Sequence, residues 1–284
     1  MKSVFLFIVC LLFLFASSFA QGTDVRYSNN KLSVGASLMP CITSIHNQDV
    51  YNAANTSTSS LFNLNGSVHA TYYFAPFVGF SFGFGYSQYS TKLSMPLYFN
   101  SYDSVDSEND AFEMRIEGRN ISEEQKISFL TFPVQLVFQY YFSRAIGVYA
   151  RPGFILSYVV LHKYISRGTI DYNAYYPEYN ITLYNLPEYG FPGNVDVSNS
   201  DDLDLKSFQV NFGLSTGIIF KLNSKTQMSV GGYYSQSLAN ASKSQDHNYH
   251  LSRRMGDYEP LMKSCSNVGM KALGTEISIY YFIR

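Results

Sequence analysis

Residues 126–161, KISFLTFPVQLVFQYYFSRAIGVYARPGFILSYVVL, alternate between apolar and mixed side chains at every second position, over two successive runs. In the first run one face reads Leu130, Phe132, Val134, Leu136, Phe138, Tyr140 and Phe142. The other reads Phe129, Thr131, Pro133, Gln135, Val137, Gln139 and Tyr141. In the second run Val148, Ala150, Pro152, Phe154, Leu156, Tyr158 and Val160 oppose Tyr149, Arg151, Gly153, Ile155, Ser157, Val159 and Leu161. Side chains of a strand point alternately to its two faces, so the pattern is that of strands with two unlike environments. The joining Ser143-Arg144-Ala145-Ile146 makes the pair an antiparallel hairpin. What each face meets decides between a soluble β-protein and a membrane barrel.

The alternation recurs at 31–39, 61–74, 77–92, 206–222, 226–238 and 267–284, which with the hairpin makes eight strands. Their connections run long, short, long, short, long, short, long. The short ones have 2, 4 and 3 residues; the long ones, 40–60, 93–125, 162–205 and 239–266, have 21 to 44. Structureless loops of that length are out of place inside a compact soluble domain. Here they all fall at one end of an up-and-down meander, the pattern of an outer-membrane barrel. An open edge in lipid would strand backbone N–H and C=O groups, so the first strand is expected to pair with the eighth. The expected fold is all-β: a closed eight-stranded antiparallel up-and-down transmembrane β-barrel, with four long outer loops and three short periplasmic turns.

Composition weighs the same way. Charged residues are 14% of the chain, against about 25% in soluble domains. The less apolar faces carry Gly, Ser, Thr, Asn and Gln, not the Lys and Glu a solvated surface would show. That sets a membrane barrel ahead of a secreted lipocalin-like barrel, whose apolar face would line a ligand cavity. Small side chains inside and large apolar ones outside suit a narrow membrane barrel. A net charge of −1 gives no pointer to nucleic acid. Residues 1–20 read as a signal peptide. Lys2 is followed by an apolar run over 4–15 and by Ser18-Phe19-Ala20, with cleavage expected after Ala20. That leaves 21–284 as the barrel domain, in which no apolar run has the length of a membrane helix.

Few charges fall on the inward faces. Arg151, Glu276 and Lys271 are the candidates, with His69, Gln135, Gln139 and Asn211 as polar neighbours. A buried ion needs a partner, which suggests a lumen network of Arg151, Glu276, Gln139 and Gln135; hydration near the periplasmic end is the alternative. Cys41 ends the first strand and Cys265 begins the eighth, so closure makes a disulfide possible unless stagger separates them. Asp103, Asp106, Glu108 and Asp110, and Asp201, Asp202 and Asp204, form acidic clusters without EF-hand spacing, which read as solvated loops. A Tyr-rich segment (Tyr172, Tyr175, Tyr176, Tyr179, Tyr184, Tyr189) is a contact surface or part of a hairpin extended beyond the membrane. His247 and His250 do not make a metal site, and no nucleophile–base–orienter set assembles. The chain is therefore expected to be no enzyme and to need no cofactor.

The strand FLTFPVQLVFQYYF with its central Pro133, and the following VYARPGFILSY, resemble the Bacteroidota outer-membrane β-barrel domain family described as PorT-like. The resemblance covers the mature chain from about residue 31 and implies a cell outer-membrane barrel. It implies partners among outer-membrane lipid and envelope or secretion proteins, reached through the outer loops. Some relatives serve type IX secretion. Asp103-Ser104-Val105 is similar to the short O-glycosylation motif of that phylum, which would make Ser104 an acceptor. The expected role is a structural or partner-binding barrel. The alternatives are a component of a secretion or assembly machine, a narrow pore, or the lipocalin-like carrier.

Overall fold

The computed structural model describes residues 31–47, 56–243, 251–252, 256–261 and 267–283. The signal segment 1–20, His247, His250 and Cys265 lie outside the described residues. Among the described residues there are ten strands: β1 (Leu32–Asn47), β2 (Ser57–Ala75), β3 (Val78–Val105), β4 (Ala111–Tyr141), β5 (Ile146–Tyr176), β6 (Ile181–Tyr184), β7 (Gly193–Asp202), β8 (Phe208–Lys221), β9 (Thr226–Ser237) and β10 (Val268–Ile283). Each of β1, β2, β3, β4, β5, β8, β9 and β10 pairs antiparallel with two neighbours. β4 pairs β5, and β1 pairs β10 from Leu32–Ile283 to Asn47–Val268, so these eight form a ring. The two extra strands, β6 and β7, both pair with the far half of β5.

Three tight connections gather at one end. Residues 76–77 link β2 and β3. In 142–145 the Ser143 hydroxyl accepts the N–H groups of Ala145 and Ile146 at 3.3 and 2.9 Å. In 222–225 Asn223 Oδ1 accepts those of Lys225 and Thr226 at 2.8 and 2.9 Å. Short polar side chains bonding their own backbone two or three residues on are what close such turns.

The other end departs from expectation. The segments 93–125 and 162–205 are largely strand, not loop. β3, β4 and β5 run 28, 31 and 31 residues, against 16, 14, 12 and 16 for β1, β8, β9 and β10. A crossing needs about 9–11 residues. The surplus of β3, β4 and β5, with β6 and β7, stands as a wall above one side of the ring. Its tip is the turn 106–110, not a 33-residue loop.

The large side chains on the outer surface of the ring are apolar and exposed: Phe80, Phe82 and Phe84 on β3, Phe154 and Leu156 on β5, Ile277, Ile279 and Tyr281 on β10. This settles the phase of β10, with Glu276 inward and Ile277 outward, and places Lys271 on the outer surface, not in the lumen. The interior is polar at mid-height, with Ser37, His69, Thr131, Arg151, Ser215, Glu276 and Ser278 all buried. It is not lined by small residues alone. Tyr73, Tyr89, Phe129, Tyr141, Tyr149, Tyr233, Tyr280 and Phe282 are also buried. An apolar face outside and a polar one inside is the reverse of a lipocalin-like barrel.

Three prolines interrupt the ladder without shifting it. Pairing passes from Leu38–Ile277 to Cys41–Gly274 around Pro40 and from Phe82–Val134 to Gly85–Thr131 around Pro133. It passes from Gln135–Gly153 to Phe138–Ala150 around Pro152. Proline has no N–H to give, so a rung is lost and the register resumes.

True bulges lie higher. β5 has one extra residue, Val160, against β4, and β4 has one extra near Asn120, which takes φ 51. Inward positions on β4 are odd-numbered up to Ile121 and even-numbered at Gly118, Ile116 and Met114. On both sides of that change the inner face of the wall carries apolar residues. Leu93, Met95, Met114, Ile116, Ile121, Ile170, Tyr172, Ala174 and Tyr176 pack there with Phe191, Leu251 and Leu261. Among the described residues no helix is long and apolar enough to cross a membrane, which says nothing about crossing by strands.

Candidate functional site

The lumen is the site the chain builds most deliberately. Arg151 comes inward from β5 beside Pro152, and Glu276 comes inward from β10. Both are 2% exposed, and they form an ion pair across the interior. The guanidinium also donates to the Tyr280 hydroxyl and, at 3.4 Å, to the Ser278 hydroxyl. Ser278 donates to Glu276 at 2.7 Å and lies 2.7 Å from the Ser37 hydroxyl on β1. The rings of Tyr149 and Tyr280 flank the guanidinium, 5.0 and 5.5 Å from its carbon, and His69 packs on Tyr280 at 5.1 Å between centroids. A buried pair is favoured when its remaining hydrogen-bonding capacity is met; the hydroxyls of Tyr280, Ser278 and Ser37 supply part of it here, while Arg151 Nε is buried without a partner.

Gln135 lines the same small cavity as Arg151, Glu276 and His69. Gln139 is placed nearer the short-turn end, opposite Tyr149 in the ladder. Asn211 donates to Ser157 at 3.3 Å. The cavity measures about 30 Å³, room for roughly one water molecule and not for a channel.

Packing continues above and below. Towards the short turns lie Tyr73, Val137, Tyr280 and Phe282, and next to them Tyr141, Tyr149 and Ile219. Towards the wall, Met39, Cys41, Tyr89, Phe129, Tyr164 and Tyr233 pack with Leu203, Leu205 and Ala241 from the connecting segments. Tyr89 and Phe129 meet edge to face at 5.7 Å.

Cys41 lies in this upper layer, its sulfur accepting from Asn65 Nδ2 at 3.4 Å. The ladder position opposite it is Gly274, and pairing runs on to Asn47–Val268. Cys41 borders a seam where β2 and β3 part between Ser60–Thr91 and Gly66–Tyr86. Side chains stitch the gap. Thr43 Oγ1 accepts from Ser90 N at 2.9 Å and from Asn63 Nδ2 at 2.6 Å, and Asn65 Oδ1 accepts from Gln88 N at 2.8 Å.

Sequence reasoning missed the residue that clamps the mouth. Glu123 is fully buried on the inner face of β4. It accepts from Gln125 at 2.7 Å, Ser166 at 2.9 Å and the N–H of Leu261 at 2.8 Å. Asn199 of β7 donates to the Tyr164 hydroxyl and the Tyr258 carbonyl at 3.1 and 3.5 Å. The segment 256–261 is thereby held against the wall over the lumen. The only signal in sequence was the lone parity of Glu123 with Ile121 and Ile127.

The acidic clusters have structural partners. Asp106 Oδ1 accepts the N–H groups of Glu108 and Asp110 at 2.9 and 3.0 Å, closing the wall tip. Tyr176 and Tyr179 donate to Asp106 and Asp110, each at 3.1 Å. Partial desolvation pushes the Asp106 carboxyl up. The two N–H groups and the Tyr176 hydroxyl outweigh this and hold it below the usual carboxylate range. Burial, then the Asp106 carboxylate, push the Tyr176 hydroxyl up to about 12. Asp204 pairs with Lys243 at 3.1 Å. Among the described residues no group of three or more His, Cys, Asp or Glu is placed to hold a metal ion. Ser104 is half-buried near the tip, opposite Phe112.

A model of the outer membrane protein beta-barrel domain family matches residues 17–243. Among solved structures, Neisserial surface protein A is 10% identical with a TM-score of 0.36, over 89% of this chain and 97% of that one. OprG of Pseudomonas aeruginosa is 9% identical with a TM-score of 0.37, over 90% and 96%. The attachment invasion locus protein Ail of Yersinia pestis is 9% identical with a TM-score of 0.33, over 88% and 99%. No curated protein matches the chain.

Proposed function

The chain belongs to the outer membrane protein β-barrel domain family, and on that footing we propose that it is a closed, plugged, non-catalytic barrel whose wall binds an envelope partner. One observation carries this reading: among the described residues the interior holds the Arg151–Glu276 network at mid-height and packed aromatics on both sides of it. Eight-stranded interiors are normally full of side chains, and diffusion through one requires space that a cavity of about 30 Å³ does not supply. The apolar outer surface meets lipid, the short turns face the periplasm and the wall stands outside the cell. Binding then falls to the wall, where Phe99, Val105, Tyr184 and Tyr189 are 67, 62, 70 and 70% exposed; tyrosine is a residue that interfaces favour.

Single-channel recording of the full mature protein tests the plug. No steady conductance is expected, and a steady open level would overturn it. Crosslinking and co-purification from envelopes test the wall. Recovery of one partner, lost with Phe99→Asp, is expected. Partners from a secretion machine would make the chain a machine subunit, in line with its resemblance to PorT-like proteins. Recovery of none would remove the binding role.

A further inference from the structure

Outward from the apolar surface, the first charged residue on each of β3, β4, β5 and β10 is a lysine: Lys92, Lys126, Lys163 and Lys271, all exposed. On β4 the apolar series ends at Leu130 and Ser128 precedes Lys126; on β5 Tyr158 and Val160 precede Lys163. The register then sets Lys126 directly opposite Lys163, with Ser90 on the far side of Lys126 and Asp202 on the far side of Lys163. Like charges directly opposite on one face of a sheet destabilise it. The nearest outward acids are Glu124, opposite Lys92, and Asp202. Among the described residues neither forms an ion pair within 4.0 Å with Lys126 or Lys163. The pair is therefore two facing lysines at the edge of the apolar surface, with Tyr86 and Tyr158 just below them on it; tyrosines are enriched where a membrane meets water.

We infer that Lys126 and Lys163 together bind the phosphate of a membrane lipid in the leaflet on the wall side, its acyl chains lying along the apolar outer surface beneath them. A phosphate bridging the two ammonium groups relieves their repulsion, and the adjacent apolar surface gives the lipid form an advantage over a free anion. The inference rests on the membrane reading above, but not on which end faces outward.

The test uses the full mature protein in uncharged maltoside micelles, with thermal unfolding followed as phosphatidic acid or inorganic phosphate is added. Phosphatidic acid is expected to stabilise the protein. Lys126→Gln/Lys163→Gln should weaken its apparent affinity roughly thirtyfold, since each lysine near an anionic surface adds a several-fold factor. Lys126→Arg/Lys163→Arg should retain it, and Lys225→Gln, at the short-turn end, should leave it unchanged. Equal stabilisation of wild type by inorganic phosphate, or undiminished lipid binding by the double glutamine variant, would overturn the inference. Heat-modified gel mobility of each variant reports folding. Thiol labelling of Val105→Cys on intact cells reads orientation separately, so failure of that reading is not mistaken for failure of this one.

Discussion

Glu123 on β4 accepts the backbone N–H of Leu261 at 2.8 Å, joining wall and last connection across 138 residues of chain. Bonds to a carboxylate contribute about 1.5–3 kcal/mol each where the acceptor is buried. Glu123→Ala is expected to loosen segment 256–261 by about 2 kcal/mol and speed its amide exchange roughly thirtyfold. The ring itself should remain folded. Exchange mass spectrometry checks this, and unchanged protection of 256–261 would show that the clamp lies elsewhere.

Arg151 and Glu276 respond differently to single and double replacement. Glu276→Ala leaves a guanidinium buried without its counter-ion, which costs about 3–5 kcal/mol. Arg151→Met/Glu276→Leu removes both charges and is expected to change stability by little, or to raise it. Urea unfolding in micelles, followed by circular dichroism because the chain has no Trp, separates the two. Arg151→Ala/Glu276→Ala empties the middle of the lumen instead and, on the proposed plugged-barrel reading, should raise conductance above that of the wild type measured alongside.

The wall tip has a wide pH window. Asp106 titrates below the usual carboxylate range, so its contribution is present above that range and lost only as pH falls through the lowered value. The Tyr176 hydroxyl is raised to about 12, so its donated bond is present below the ordinary tyrosine range and lost as pH climbs through about 12. Amide protection at 106–110 is expected to stay level from mildly acidic to mildly alkaline pH. Asp106→Ala should abolish it at every pH, which exchange measurements corrected for intrinsic rates will show.

Gly231 faces Gly217 across the β8–β9 ladder. A Cβ on Gly231 would press on the Thr216 carbonyl and come within 2.7 Å of the Tyr149 hydroxyl. Gly231→Val is expected to cost at least 1–3 kcal/mol, as overpacked interiors do, and to lower the yield of heat-modifiable protein. Tyr149→Ala in the same chain relieves only the side-chain part of the clash, so recovery should be partial.

The ring strands were legible because lipid and lumen demand opposite chemistries on alternate residues, and Leu130 to Phe142 or Phe208 to Phe220 obey that over a dozen positions. The parity of Arg151 pointed inward for the same reason. The wall was not legible. Its outer face is solvated and carries Arg115–Glu113 and Arg119–Glu117 pairs, so β4 above Asn120 reads as a polar loop. Its apolar positions, Met114, Ile116, Ile121 and Ile127, fall out of step across the extra residue, which hides a period that holds on either side. Lys271 was misplaced by grouping it with Glu276, five residues on and therefore of opposite parity. Glu123 was overlooked because its donors Ser166 and Leu261 lie on distant segments that only the folded chain brings to β4.

The bulge at Asn120 works like a frameshift written into protein. On the ring side of it, β4 is spelled with odd-numbered residues inward, Ile121, Glu123 and Ile127 among them; on the tip side, with the even-numbered Gly118, Ile116 and Met114 inward. One surplus amide keeps the two spellings in phase with a single curved sheet. Removing that residue would change no side chain on the wall, yet would turn Met114 and Ile116 out to water and Arg115 and Glu117 in. A length change of one would invert a surface that most point substitutions would leave intact.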